Sequence, residues 1–136
     1  NTIDQIEVDA GELGKDRAAS PKVRSFAARL AHEHTSSLQR RYPRAENIDV
    51  EPQTPQLAMA LEQMHGESTN LLQKKSGRDF DEAYIKDQIT LHVQMLQLLQ
   101  ATEESMAQPE LRQHLRYTQP DLLSHLSAAQ AVARQF

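Results

Sequence analysis

The six histidines are where this chain could do chemistry, because near neutral pH an imidazole can ligate a metal, carry a proton or act as a general acid or base. At about 100° per residue, His34, His92 and His125 fall on the apolar stripes of three different helical segments. His32, His65 and His114 fall toward solvent or a stripe's edge. An unpaired buried polar group costs roughly 1 to 3 kcal/mol, so three inward imidazoles predict partners. Glu7 and Asp9 beside the first apolar stripe, and Tyr84 two turns before His92, are in position to supply them.

Imidazole and carboxylate donors converging from separate helices are what zinc, copper or iron requires. Glu7, His34, His92 and His125 are accordingly the candidate ligands of a divalent metal. The same four side chains could instead form a hydrogen-bonded polar core. Helical spacing fixes their faces but not their heights, so both readings stand.

Other chemistries are poorly supported. The chain has no cysteine, which removes disulfides, thiolate metal sites and cysteine nucleophiles. Ferritin-type di-iron centres need Glu-x-x-His on two helices and a lone Glu on two others. This chain has one such motif, Glu62 to His65, and Met64 rather than His65 lies on the inward stripe. Neither a Gly-rich phosphate loop nor a Gly-x-Ser-x-Gly elbow is present. The methionines Met59, Met64, Met95 and Met106, at helical spacing, read as core filler rather than copper ligands. With no complete catalytic motif, a binding or interaction protein is favoured over an enzyme. A net charge of -4 offers no basic footprint for nucleic acid, and no run of 18 apolar residues could span a membrane. The chain opens on Asn1-Thr2-Ile3, already inside a helical pattern, as a mature domain or trimmed chain would.

The elements that must position the histidines are helices. At 136 residues the chain suits one core, hence one domain over 1–136, and 38% hydrophobic with 4% aromatic residues suits an aliphatic all-α bundle. The first helix, Ile3 to Arg17, carries Ile3, Ile6, Ala10 and Leu13 on one stripe, with Gly11 and Gly14 suggesting close helix approach. Ser20-Pro21 reads as a cap followed by proline at a first helical position, so the chain bends there into a second helix reaching about Tyr42. Pro43 to Thr54 lacks periodicity and reads as a crossover loop. Thr54-Pro55 opens a third helix to about Lys75, with Leu57, Leu61, Met64, Leu71 and Leu72 inward. The longest pattern, Phe80 to Gln100, has an apolar band wide enough to touch several neighbours and is expected to be the central helix. After a break near Ala107-Gln108-Pro109, a last region runs to Phe136, kinked or split by Pro120. An antiparallel bundle follows.

The order of these segments resembles a bacterial exported family known as domain of unknown function 4142. The matching features begin with Glu7-Val8 and Gly11, Ser20-Pro21-x-Val23-x-x-Phe26-Ala27 and Glu33-His34-Thr35. They continue with Ser76-Gly77-x-x-Phe80-Asp81-x-x-Tyr84, His92 and Pro120-x-Leu122-x-x-His125-Leu126, so the likeness covers nearly the whole chain. Where the family usually has Asp before its first histidine this chain has Glu33, and Leu91 replaces an acidic residue often found before the histidine of the long helix. The resemblance implies a ferritin-like bundle in the periplasm or at the outer membrane, with no established activity, and it singles out Glu7, His34, His92 and His125. It leaves homo-oligomerisation open.

Overall fold

The structure, a computed structural model, describes residues 2–41, 55–105, 107 and 109–136. Among them the chain forms five helices and no strand: α1 (Thr2–Arg17), α2 (Pro21–Arg41), α3 (Pro55–Leu72), α4 (Gly77–Ser105) and α5 (Pro109–Ala133). The all-α expectation is met. The expected crossover at Pro43 to Thr54 lies outside the described residues.

At Ala18 to Ser20 the chain does more than bend: it reverses, and α2 runs back along α1. Pro21 starts α2 where a missing N–H costs nothing. The amides just before it are held from a distance, because Asp81 of α4 accepts from Ala19 N at 2.9 Å and from Ser20 N at 2.8 Å. Small residues set the spacing of the hairpin. A Cβ on Gly11 would approach Ala31 N to 2.6 Å and Ala27 O to 2.8 Å. One on Gly14 would strike the Tyr84 ring of α4 and come within 2.7 Å of the Ala27 Cβ.

The long helix is central, as its apolar band predicts. α4 buries ten side chains, from Phe80 to Leu99, and packs antiparallel to α5, with Glu103 bonded to Arg116 near one end and Arg78 over the Phe136 ring near the other. α5 continues through Pro120 instead of splitting there. Pro120 is exposed, so water can take up the Arg116 carbonyl that the proline leaves unpaired. Among its described side chains α3 buries Leu57, Leu61, Ser68 and Leu72. Leu71, expected inward, is 63% exposed: these four form the buried stripe, and at about 100° per residue Leu71 stands to one side of it. Arg17 secures the end of α3 by donating to the carbonyls of Leu72 at 3.2 Å, Gln73 at 3.5 Å and Lys75, while lying over the Phe80 ring.

The core has two apolar layers. One gathers Val23, Phe26, Leu30, Phe80, Tyr84 and Ile85, and the other Ile3, Ile6, Leu61, Met95, Leu99 and Leu122. The polar side chains described next separate them.

The glycines give a direct check of this packing. Gly14→Ala should destabilise by about 1 to 3 kcal/mol in urea denaturation, because overpacking against Tyr84 exceeds the gain in helix propensity. At Gly66 of α3 a Cβ would meet open space, so Gly66→Ala should stabilise by up to about 1 kcal/mol. Equal effects of the two substitutions would contradict the packing of α1 on α4.

Candidate functional site

Four helices deliver polar side chains to one layer: Asp4 and Glu7 from α1, Glu33 and His34 from α2, Gln88 and His92 from α4, and His125 from α5. Glu33 is partly exposed, and none of the other six is more than 3% exposed. Spacing explains the delivery. Asp4 and Glu7 stand three residues apart on the α1 face that also carries Gly11 and Gly14, and Gln88 and His92 stand one turn apart on α4.

In the first half of the cluster, His34 Nδ1 lies 2.8 Å from Asp4 Oδ1 and His125 Nε2 lies 2.6 Å from Glu33 Oε2. An ionised carboxylate only accepts, so with Asp4 and Glu33 ionised these contacts place a hydrogen on His34 Nδ1 and on His125 Nε2. In neutral rings the remaining nitrogens, His34 Nε2 and His125 Nδ1, both present lone pairs, and they face one another at 3.3 Å. Two lone pairs repel. Three hydrogen bonds in this row need three protons, and two neutral imidazoles carry two. The row closes only by sharing one additional proton or another cation. Burial lowers the His125 pKa, opposed by its bond to Glu33. Burial would raise Glu33, but its bonds from Arg29 and His125 outweigh that and hold its carboxyl below the usual value.

The second half is less complete. His92 Nδ1 donates to the Gln88 carbonyl at 2.7 Å, which leaves its Nε2 a lone pair directed toward Glu7 Oε2 at 3.4 Å. Both Glu7 oxygens, Gln88 Oε1 and His92 Nε2 are buried and lack a hydrogen-bond partner among the described residues. Burial raises Glu7 to about 7, against the opposing charges of His34, His125 and His65. Burial likewise lowers His92 to about 4, only partly offset by the Gln88 carbonyl. Between about pH 4 and 7 neutral Glu7 beside neutral His92 is therefore preferred, and a carboxylic O–H can then turn toward the lone pair.

Donor atoms around a tetrahedral ion with bonds of about 2.0 to 2.1 Å stand about 3.3 to 3.4 Å apart. The two pairs, His34 with His125 and Glu7 with His92, have this spacing at 3.3 and 3.4 Å. The pairs do not yet merge: among the described residues no group of three or more His, Asp or Glu is arranged to hold a metal ion. His125 links them, its ring centroid 5.0 Å from that of His34 and 5.8 Å, edge-on, from that of His92.

All four expected residues, Glu7, His34, His92 and His125, thus lie in one buried layer. Two expected partners do not. The Tyr84 hydroxyl donates to the Ala10 carbonyl at 2.8 Å, and Asp9 is exposed, 3.9 Å from His65. Tyr84 is drawn away because the small residues of α1 let its ring reach the α1 backbone. Asp4, Glu33 and Gln88 supply the bonds instead. Asp4 was legible as the residue one turn before Glu7. Glu33, about 100° from His34 on the wheel, gave no such signal. His32 is exposed, as expected, and the side chain of His114 lies outside the described residues.

These features define a class: an all-α bundle whose hairpins meet across a buried histidine and carboxylate layer. The chain belongs to the family described as Domain of unknown function (DUF4142), which matches residues 1–132. No curated protein and no solved structure matches it.

The opposed shifts of Glu7 and His92 predict a distinctive pH dependence. A carboxyl raised from 4.5 to about 7 favours folding below 4.5 and loses that contribution as pH rises through 7. An imidazole lowered from 6.5 to about 4 favours folding above 6.5 and loses it as pH falls through 4. Each amounts to at most about 3 kcal/mol, and in the wild type the two largely offset one another across their shared window. Glu7→Gln removes the first and should leave stability climbing from pH 4 to 6.5. Urea denaturation across that range checks it, and parallel profiles for the two proteins would refute the assignment.

Proposed function

We propose that this protein is a non-enzymatic, ferritin-like bundle of the bacterial envelope that holds one divalent transition-metal ion, zinc, copper or iron, through Glu7, His34, His92 and His125. The observation that carries the reading is the direction of the imidazole lone pairs. Each ring commits its other nitrogen to a non-metal partner, Asp4 for His34, Gln88 O for His92 and Glu33 for His125. Metal-ligating histidines are held by carboxylates and backbone carbonyls in this way, which fixes the tautomer and raises ligand basicity. The unpartnered Glu7 oxygens supply the anionic donor that such an ion prefers.

A bound ion would act as a Lewis acid and fastener, joining the α1–α2 hairpin to the α4–α5 hairpin. Catalysis fits poorly, because donors at most 3% exposed leave no room beside them for an organic substrate. The envelope location rests on the family resemblance. Fractionation of cells producing the full-length protein checks it, and recovery from the cytosol would refute it.

A second reading has its own support. Because no three donors converge among the described residues, the layer can serve as a hydrogen-bonded spacer closed by one shared proton, and the protein would then work through its surface. Metal analysis of tag-free protein, with thermal melts in zinc, copper(II) and iron(II), separates the two. Binding predicts one equivalent of metal and a stabilisation of about 2.7 kcal/mol at a hundred times Kd, both abolished in His92→Ala. No stoichiometric metal and an unmoved midpoint would leave the spacer reading.

A further inference from the structure

Charge is divided unevenly among the helices. α2 carries five Lys and Arg against a single Glu, whereas α1, α3 and α4 together carry thirteen Asp and Glu against four Lys and Arg. Asymmetry of this size within one chain sets apart a face suited to a partner of opposite sign. The bases of α2 are also aligned. At about 100° per residue, Lys22, Arg29 and Arg40 fall within about 20° of one line, which runs about 27 Å along the helix. All three are exposed, and neither Lys22 nor Arg40 has an acidic partner among the described residues. Glu33, the one acid of α2, is spent within the bundle, accepting from His125 Nε2 at 2.6 Å and from Arg29 Nε at 2.7 Å.

The other half of this face is α5. Bonds from Gln135 to Ser20, from Arg29 to Ser124 and between His125 and Glu33 set it antiparallel to α2. Tyr117 stands two turns before Ser124 on the same side of α5, hence toward the Arg40 end, and is 68% exposed. Asp121 is the one acid between them. Because α3 packs on α1 and α4, no further helix covers the α2 and α5 face among the described residues.

We infer that the face formed by α2 and α5 docks on an anionic phospholipid bilayer, with Lys22, Arg29 and Arg40 against the lipid phosphates and Tyr117 at the level of the headgroups. A bilayer fits because the cations form a line on an open two-helix face instead of converging on a single ion. An exposed Tyr beside them is the kind of amphipathic side chain that settles at a membrane interface. The acids of α1, α3 and α4 oppose approach by those sides, so the contact is oriented. Docking does not depend on whether the core layer holds a metal.

The full chain with vesicles of phosphatidylglycerol and phosphatidylcholine in equal parts tests this, against phosphatidylcholine alone, by co-sedimentation. Binding to the anionic vesicles is expected at about 0.1 M salt, and its loss at about 1 M, where the screening length falls to about 3 Å. Lys22→Glu with Arg40→Glu should lower partitioning by about tenfold or more. Arg29 stays in place because it also holds Glu33. The same change of charge by Lys74→Glu with Lys86→Glu, beyond the end of α3 and on α4, should lower it by no more than about threefold. The chain has no Trp, so a single introduced one reports the contact. Tyr117→Trp should show blue-shifted emission on the anionic vesicles, and Met59→Trp, at a position 69% exposed on α3, should not. Absence of salt-sensitive binding to the anionic vesicles would overturn the inference, as would equal losses in the two charge variants or a shift at residue 59 alone. Salt-sensitive retention on heparin without vesicle binding would make the partner a soluble polyanion and overturn it too.

Discussion

The structure depends on burying polar side chains in the middle of an apolar bundle. A lone imidazole or carboxylate at that depth would cost kilocalories, and the chain avoids that penalty only where several helices bring complementary groups to one height. Asp4 must meet His34, His34 must meet His125, and His125 must meet Glu33. Each contact crosses between helices. The layer therefore fixes axial register, which the apolar stripes alone leave loose, since a leucine stripe tolerates sliding by a turn far better than a hydrogen bond does. The two apolar layers above and below can then be filled by ordinary aliphatic packing.

Close approach makes this layer possible. With glycine at 11 and 14, α1 lies near enough to α2 and α4 for a short side chain such as Asp4 to reach across, and the Tyr84 hydroxyl bonds the α1 backbone directly. Arg17 extends the same logic to α3, using one guanidinium to collect the carbonyls left open at a helix end. The unevenness of the cluster is equally informative. The row from Asp4 through His34 and His125 to Glu33 lacks only one proton of being bonded throughout, whereas Glu7 and His92 face each other without a bond. That asymmetry is what the proposed metal ion would answer.

Much of this was legible in the sequence because helices write their buried faces at a period of 3.6. The inward assignment of His34, His92 and His125, the central place of α4 and the division at Ser20-Pro21 all follow from that period and from proline chemistry. The remainder depends on heights and crossings, which periodicity does not encode. Nothing in the spacing of Glu33 distinguishes a solvent carboxylate from one bonded to His125, and Asp81 gives no local sign that it serves another helix's start. Tyr84 misleads for a related reason: it shares a face with His92, but its hydroxyl is spent on the Ala10 carbonyl. Leu71 stands at the edge of the α3 stripe, and the contact falls to Leu72 beside it, leaving Leu71 in solvent.

The turn between α1 and α2 carries a consequence for assembly. Its amides at Ala19 and Ser20 are bonded by Asp81, and the Ser20 hydroxyl accepts from Gln135 at 3.2 Å, so its closing groups come from α4 and from next to the C-terminal residue. The hairpin itself supplies the bond from Arg24 to the Ala18 carbonyl at 2.7 Å, but not the carboxylate that holds the Ala19 and Ser20 amides. The full set of bonds at this turn is thus present only when α4 and Gln135 are in place beside it.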